Sequence, residues 1–187
     1  MRPRPYSDLV DLAHQLAGPG ADALDVFDCA SVGLLLEPRE HSAGYESTPT
    51  NTDTFAYTGG DGVHYGFLLL ADRAADALPV VMTVPMASAN IIVGATFFEF
   101  LRLGCRNGYF SLEQLSYDWD GTVAHLQSIH EIPEHDEKGY LRAINERFGL
   151  TPWPDVAGCL AELQRLYLPL LRWDPDAPRR SLAWSGP

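Results

Sequence analysis

Two short aromatic, β-prone runs, Phe55-Ala-Tyr-Thr58 and Val63-His-Tyr-Gly-Phe-Leu68, flank Gly59-Gly60-Asp61-Gly62. Glycine and aspartate accept the positive φ angles of a tight reversal, so the pattern predicts a β-hairpin. Side chains alternate along a strand, and a two-residue turn at Asp61-Gly62 or a four-residue turn gives the same parity. Phe55 and Tyr57 are therefore expected on one face with His64, Gly66 and Leu68, with Gly66 opposite an aromatic ring at 55 or 57. Ala56, Thr58, Val63, Tyr65 and Phe67 are expected on the other. Neither face is purely polar, which predicts a hairpin at the centre of a sheet covered on both sides.

Before the hairpin, Leu9, Leu12, Ala13 and Leu16 recur at helical spacing behind Ser7, a potential cap, and Gly18-Pro19-Gly20 ends the helix. The apolar run 32–36 fits a strand or the end of a helix. Residues 37–53, rich in Glu, Ser, Thr, Gly and Pro, are expected to form a surface loop. Beyond the hairpin, Leu78-Pro-Val-Val-Met-Thr-Val-Pro-Met86 is the clearest further strand, its prolines near the ends where a missing N–H is tolerated. Residues 91–103 read as a buried helix carrying Val93, Phe97, Phe98, Phe100 and Leu101, closed by Gly104. Ser111-Leu-Glu-Gln114 has the form of a capping box and predicts a short helix towards Tyr117. Helices are also predicted over 122–129, 136–148 and 155–173, the last with Val156, Leu160, Leu163, Tyr167 and Leu170 on one stripe and a kink at Pro169.

Strands thus cluster in the first half and helices in the second. The expected class is α+β: a mainly antiparallel sheet built around a central hairpin, with helices packed on it and a helical C-terminal half. A single domain, 1–187, is expected, with the core sheet over about 30–104, a helical part over about 105–173 and an irregular, Pro-rich tail over 174–187.

Charge narrows the choice of partner. With 25 acidic and 13 basic residues the net charge is −12. Phosphate binding is driven by Lys and Arg, so no nucleic-acid role is expected. A basic protein partner fits, because opposite charge steers association, although an acidic surface also serves solubility alone. Cys29, Cys105 and Cys159 are odd in number and form no CxxC pair, so neither a disulfide framework nor a zinc site is indicated and a reducing, cytoplasmic setting is expected. No leader peptide and no membrane-spanning run is expected. The single lysine, Lys138, among much Ala, Gly, Pro and Arg points to a GC-rich bacterial genome.

Three groups of residues offer chemistry. Asp61, His64 and Tyr65 bring acid–base groups to one end of the hairpin, although His64 beside Tyr57 also has a structural explanation in stacking or hydrogen bonding. His125, His130 and His135 recur every five residues, but five residues turn a helix by about 140°, so neighbours do not share a face and no metal site is expected. The third group is an acidic stretch, Glu113, Asp118, Asp120, Glu131, Glu134, Asp136 and Glu137, without a single Lys or Arg. With the loop acids Glu37, Glu40 and Glu46 it is the candidate partner-binding surface, set against the plainer reading of a solvated face. GxGxxG, Walker, HExxH and GxSxG patterns are all missing, and no cofactor is expected.

The order of the hairpin, the strand from Leu78 and the segment Val93-Gly-Ala-Thr-Phe-Phe-Glu-Phe-Leu101 resembles the SUKH superfamily, a group that includes bacterial immunity proteins of polymorphic toxin systems and is similar to yeast cell-wall regulators. Phe97, Phe100 and Leu101 match its Phe-x-x-Phe-Leu-like segment, and the resemblance covers about residues 50–104. It implies an α+β sheet, no cofactor, no catalytic residues and function by protein binding. The expected function is therefore a non-catalytic, cytoplasmic protein-binding protein, with a toxin-neutralising immunity protein as its specific form and a basic toxin domain as partner. The alternative is a small enzyme or small-molecule binder with a pocket near Asp61, His64 and Tyr65. A third reading, a homo-oligomer subunit, requires Leu163, Tyr167 and Leu170 to be exposed; the oligomeric state stays open.

Overall fold

The apolar chain between Thr52 and Gly94 folds into four successive antiparallel strands. The computed structural model, which describes residues 2–174, orders them β2 (Thr52–Tyr57), β3 (His64–Leu68), β4 (Val80–Val84) and β5 (Ala89–Gly94) after a two-residue β1 (Leu35–Leu36). Spatial order follows chain order, β1-β2-β3-β4-β5, and every pairing is antiparallel. The helices are α1 (Arg4–Leu16), α2 (Phe97–Gly104), α3 (Trp119–Ser128), α4 (Tyr140–Phe148) and α5 (Val156–Tyr167). This is an α+β fold with a helical C-terminal half. The expected tail lies outside the described residues from 175 onward.

The hairpin turns through four residues, closed by Thr58 N–H donating to the Val63 carbonyl at 3.0 Å. Its faces differ from strict alternation at one residue. Thr54 pairs with Gly66 and Ala56 with Tyr65, which leaves Phe55 as the extra residue of a β-bulge. The bulge turns Phe55 to the side of Tyr65 and Phe67, with ring centroids 4.4 Å from Phe67. Tyr57 keeps its expected face beside His64, 5.9 Å away. Gly66 consequently faces Thr54 and makes room for no aromatic ring.

The helix expected over 91–103 divides in two. β-Branched Ile91, Ile92 and Val93 continue the sheet as β5, entered through a tight 3-10 turn, Pro85–Ala87, and Ser88 at φ 50°. Only after Thr96, whose hydroxyl accepts the Glu99 N–H at 3.1 Å, does α2 begin.

Phe97 and Phe100 of α2 and Tyr6 of α1 then pack on Phe55, Tyr65 and Phe67, largely edge-on, to form the main core. α1 starts at Arg4, with proline in its first turn, so Ser7 lies inside the helix and does not cap it. Just ahead of it, Arg2 reaches over the β2 edge. Its guanidinium grips the Asp53 carboxylate at 2.8 and 2.9 Å and donates to the carbonyls of Glu37, Arg39 and Thr54.

In the second half, the stretch Phe110–Ser116 is a 3-10 turn in which Ser111 makes no cap. α3 is capped by Asp118 and α5 by Asp155. α4 begins four residues later than expected, at Tyr140, because Gly139 takes φ 69°. Pro169 ends α5 in a 3-10 turn, Leu168–Leu170, and does not kink a continuous helix. α5 lies along β5, where the Gln164 side-chain amide accepts the Ile92 N–H and donates to the Ile92 carbonyl, both at 2.8 Å. Leu163 and Tyr167 are buried against the body; Leu170 is exposed.

Candidate functional site

Register lines up Tyr57, His64, Thr83 and Asn90 as one polar row across β2 to β5, on the face opposite the phenylalanine core. The 37–51 loop crosses that row, and its centre, Ser47-Thr48-Pro49, is buried where a surface loop is expected. Asn90 Nδ2 donates to the Ser47 carbonyl at 3.0 Å while its Oδ1 accepts the Thr83 hydroxyl at 2.8 Å. The His41 ring meets the Tyr57 hydroxyl at 2.8 Å, and the Tyr45 ring stacks on His64 at 5.7 Å.

His64 is the keystone of the row, 1% exposed. Its Nδ1 lies 2.8 Å from the Gly62 carbonyl, which can only accept, so Nδ1 carries the proton. Nε2 then accepts from the Thr48 hydroxyl at 3.1 Å. Burial pulls the imidazole pKa below its ordinary 6.5, helped by the charge of His41 and opposed by the Gly62 carbonyl. Above 6.5 His64 is neutral folded or unfolded, and below it the unfolded chain takes up the proton first. Stability should fall as pH drops from 6.5 through the lowered folded value, and His64→Gln should flatten that slope in urea-unfolding midpoints measured between about pH 5 and about pH 7.5.

Asp61, His64 and Tyr65 do not converge. Tyr65 points into the opposite layer, fully buried, its hydroxyl donating to the Tyr109 carbonyl at 2.6 Å. Burial pushes its phenol well above the usual range. Asp61 sits exposed on the turn. Among the described residues, a cavity of about 270 Å³ lies beside Glu40, His41, Asp53 and Leu78, and an open apolar one of about 500 Å³ runs along α5, lined by Trp153, Cys159, Leu163, Leu166 and Tyr167. Neither touches Asp61, His64 or Tyr65.

The acidic stretch separates by role. Asp136 is 7% exposed and accepts the backbone N–H groups of Leu141 and Arg142, both at 3.1 Å, so it holds the start of α4 and is no contact residue. Asp118 is exposed, yet one of its oxygens caps α3 by accepting the Gly121 N–H. Asp120, Glu131, Glu134 and Glu137 stand at the surface. Among the loop acids, Glu40 and Glu46 are exposed, while Glu37 turns a carboxylate oxygen to the Arg39 N–H. Among the described residues no three of His, Cys, Asp and Glu come together as metal ligands, His125, His130 and His135 included.

Glu113 belongs to a different neighbourhood, the tip of the hairpin. Burial and the nearby Asp61 carboxylate hold its carboxyl above the ordinary range, against a weak hydrogen bond from Gln114. A Cβ at Gly59 would sit 2.9 Å from Asp28 Oδ1, one at Gly60 3.6 Å from the Phe110 ring, and one at Gly62 2.4 Å from the Tyr45 hydroxyl. The turn is therefore flanked by two aromatic side chains and approached by two carboxylates. Periodicity passes over Asp28 and Tyr45 because they lie in loops, and over Phe110 because it only opens a 3-10 turn. Their only signal in the sequence is polar or aromatic character beside turn residues. Comparisons of the chain with protein-family models, with curated proteins and with solved structures found no match.

Proposed function

We propose that this chain is a non-catalytic, cytoplasmic binding protein whose acidic surface docks a basic protein domain, acting as an immunity protein of the SUKH type that neutralises a toxin by covering it. The observation that carries this reading is the absence of Lys and Arg from residues 107–137 together with the exposure of Asp120, Glu131, Glu134 and Glu137 along the same stretch. An extended negative field of this kind raises the encounter rate with a cationic domain and weakens as salt screens it. The competing enzyme reading needs Asp61, His64 and Tyr65 in one pocket, and they lie apart.

The test is co-expression with the product of an adjacent gene that encodes a secreted toxin. Growth rescue and co-purification are expected, with an association rate that falls as ionic strength rises. Reversing Glu131, Glu134 and Glu137 to lysine should slow association several-fold, on the order of the steering effects seen at charged interface rims, with little change in dissociation. Failure both to rescue and to co-purify would sink the proposal.

A further inference from the structure

Three of the eight large apolar side chains exposed among the described residues, Tyr45, Met86 and Phe110, lie on or against the turns at one end of the sheet. Met86, 76% exposed, sits on the β4–β5 turn. The pairing of Tyr57 with His64, His64 with Thr83 and Thr83 with Asn90 brings that turn to the same end as Gly59–Gly62. Phe110 and Tyr45, 47% and 44% exposed, reach the hairpin turn at Gly60 and Gly62, and Tyr117 at 57% follows the Phe110–Ser116 turn, which packs on β4 and β5. Half-exposed aromatics and methionine gathered around glycine-lined backbone are the composition of an interface centre.

Charge says what fits there. The loops that build this end belong to stretches 40–72, 74–101 and 107–137, and none of these contains a Lys or Arg. Asp28 lies against Gly59, while Asp61 and Glu113 repel each other across the tip without a cation from those stretches between them. Nucleic acid and anionic lipid surfaces would meet the same repulsion. An arginine would find carboxylates to bridge and ring faces to lie on.

Resting on the binding function proposed above, we propose that this hairpin tip, with Tyr45, Met86 and Phe110 around Asp28, Asp61 and Glu113, is the docking centre for a protein segment that presents arginine beside apolar side chains. The acids at 131–137 then guide encounter, and the tip sets how long the complex lasts.

The probe is a short peptide of alternating arginine and leucine, titrated into the ¹⁵N-labelled full chain. Saturable shifts are expected at amides of 59–62, 86–88 and 109–113. Met86→Ser, at a side chain too exposed to affect folding, and the pair Asp61→Asn with Glu113→Gln should each weaken binding about tenfold with unchanged melting. Equal binding of a glutamate–leucine peptide would reduce the patch to unspecific apolar contact and overturn the proposal. Shifts confined to 131–137 would overturn it too, while leaving the basic-partner reading intact. No saturable binding also overturns it, and the co-expression result then decides the broader reading on its own.

Discussion

Arg2→Ala is expected to lower the unfolding free energy by about 3–5 kcal/mol, the range for removing one partner of a buried ion pair. The Arg2 and Asp53 side chains are 8% and 9% exposed and joined through two hydrogen bonds. Truncation strands the Asp53 carboxylate, which keeps, among the described residues, only the His41 N–H at 3.1 Å. It also removes donors from the carbonyls of Glu37, Arg39 and Thr54 and a cation from above the Tyr6 ring, 5.1 Å away. Arg2→Lys should recover only part of the loss, since an ammonium cannot span the carboxylate and three carbonyls in one plane. Urea unfolding of Arg2→Ala, Asp53→Ala and the double variant closes the cycle: a double variant much less damaged than the sum of the singles marks the coupling, and strict additivity would refute it.

Phe55→Ala should destabilise the protein by a similar amount, about 3–5 kcal/mol, while Tyr57→Ala should cost about 1 kcal/mol or less. Phe55 is fully buried among Tyr6, Tyr65, Phe67, Phe97 and Phe100, so truncation opens a cavity at the centre of the aromatic cluster. Tyr57 is partly exposed on the other face, its hydroxyl against His41. Simple alternation puts both residues on one face; the bulge separates them. Thermal or urea unfolding of the two single variants distinguishes these arrangements, and comparable losses would argue against the bulge.

Much of this fold is legible because it is specified locally. Glycines with an aspartate between aromatic runs predict the hairpin; α3 and α5 carry aspartate caps, and α4 carries an apolar stripe closed by Gly149. β5 escapes because Ile91, Ile92 and Val93 are all buried, so neither alternation nor a polar face separates strand from helix. The bulge at Phe55 escapes for a different reason: register is a property of two strands, and nothing near Phe55 records that Tyr65 pairs with Ala56. The acidic stretch is visible as composition, but Asp136 becomes a buried anchor only through the α4 backbone it holds. At the hairpin tip, Asp61 and Glu113 stand far apart in the chain; Phe110 comes from the turn that carries Glu113, and Asp28 and Tyr45 arrive from two further loops. Such a surface exists only once the sheet has folded.

The Gln164 amide on Ile92 bears on how any partner must approach. A sheet's last strand normally offers an open row of peptide groups, an invitation to strand addition by another chain. Here a glutamine side chain imitates the missing peptide unit at Ile92, and α5 stands where an extra strand would lie. The opposite margin is a β1 of two residues, beyond which the Arg2 guanidinium and the His41 carbonyl hold the backbone of β2 at Thr54. A visiting chain therefore has little backbone to copy. Under the binding function proposed above, recognition would be left to side chains at the loops, where a sequence can change its partner without changing its fold.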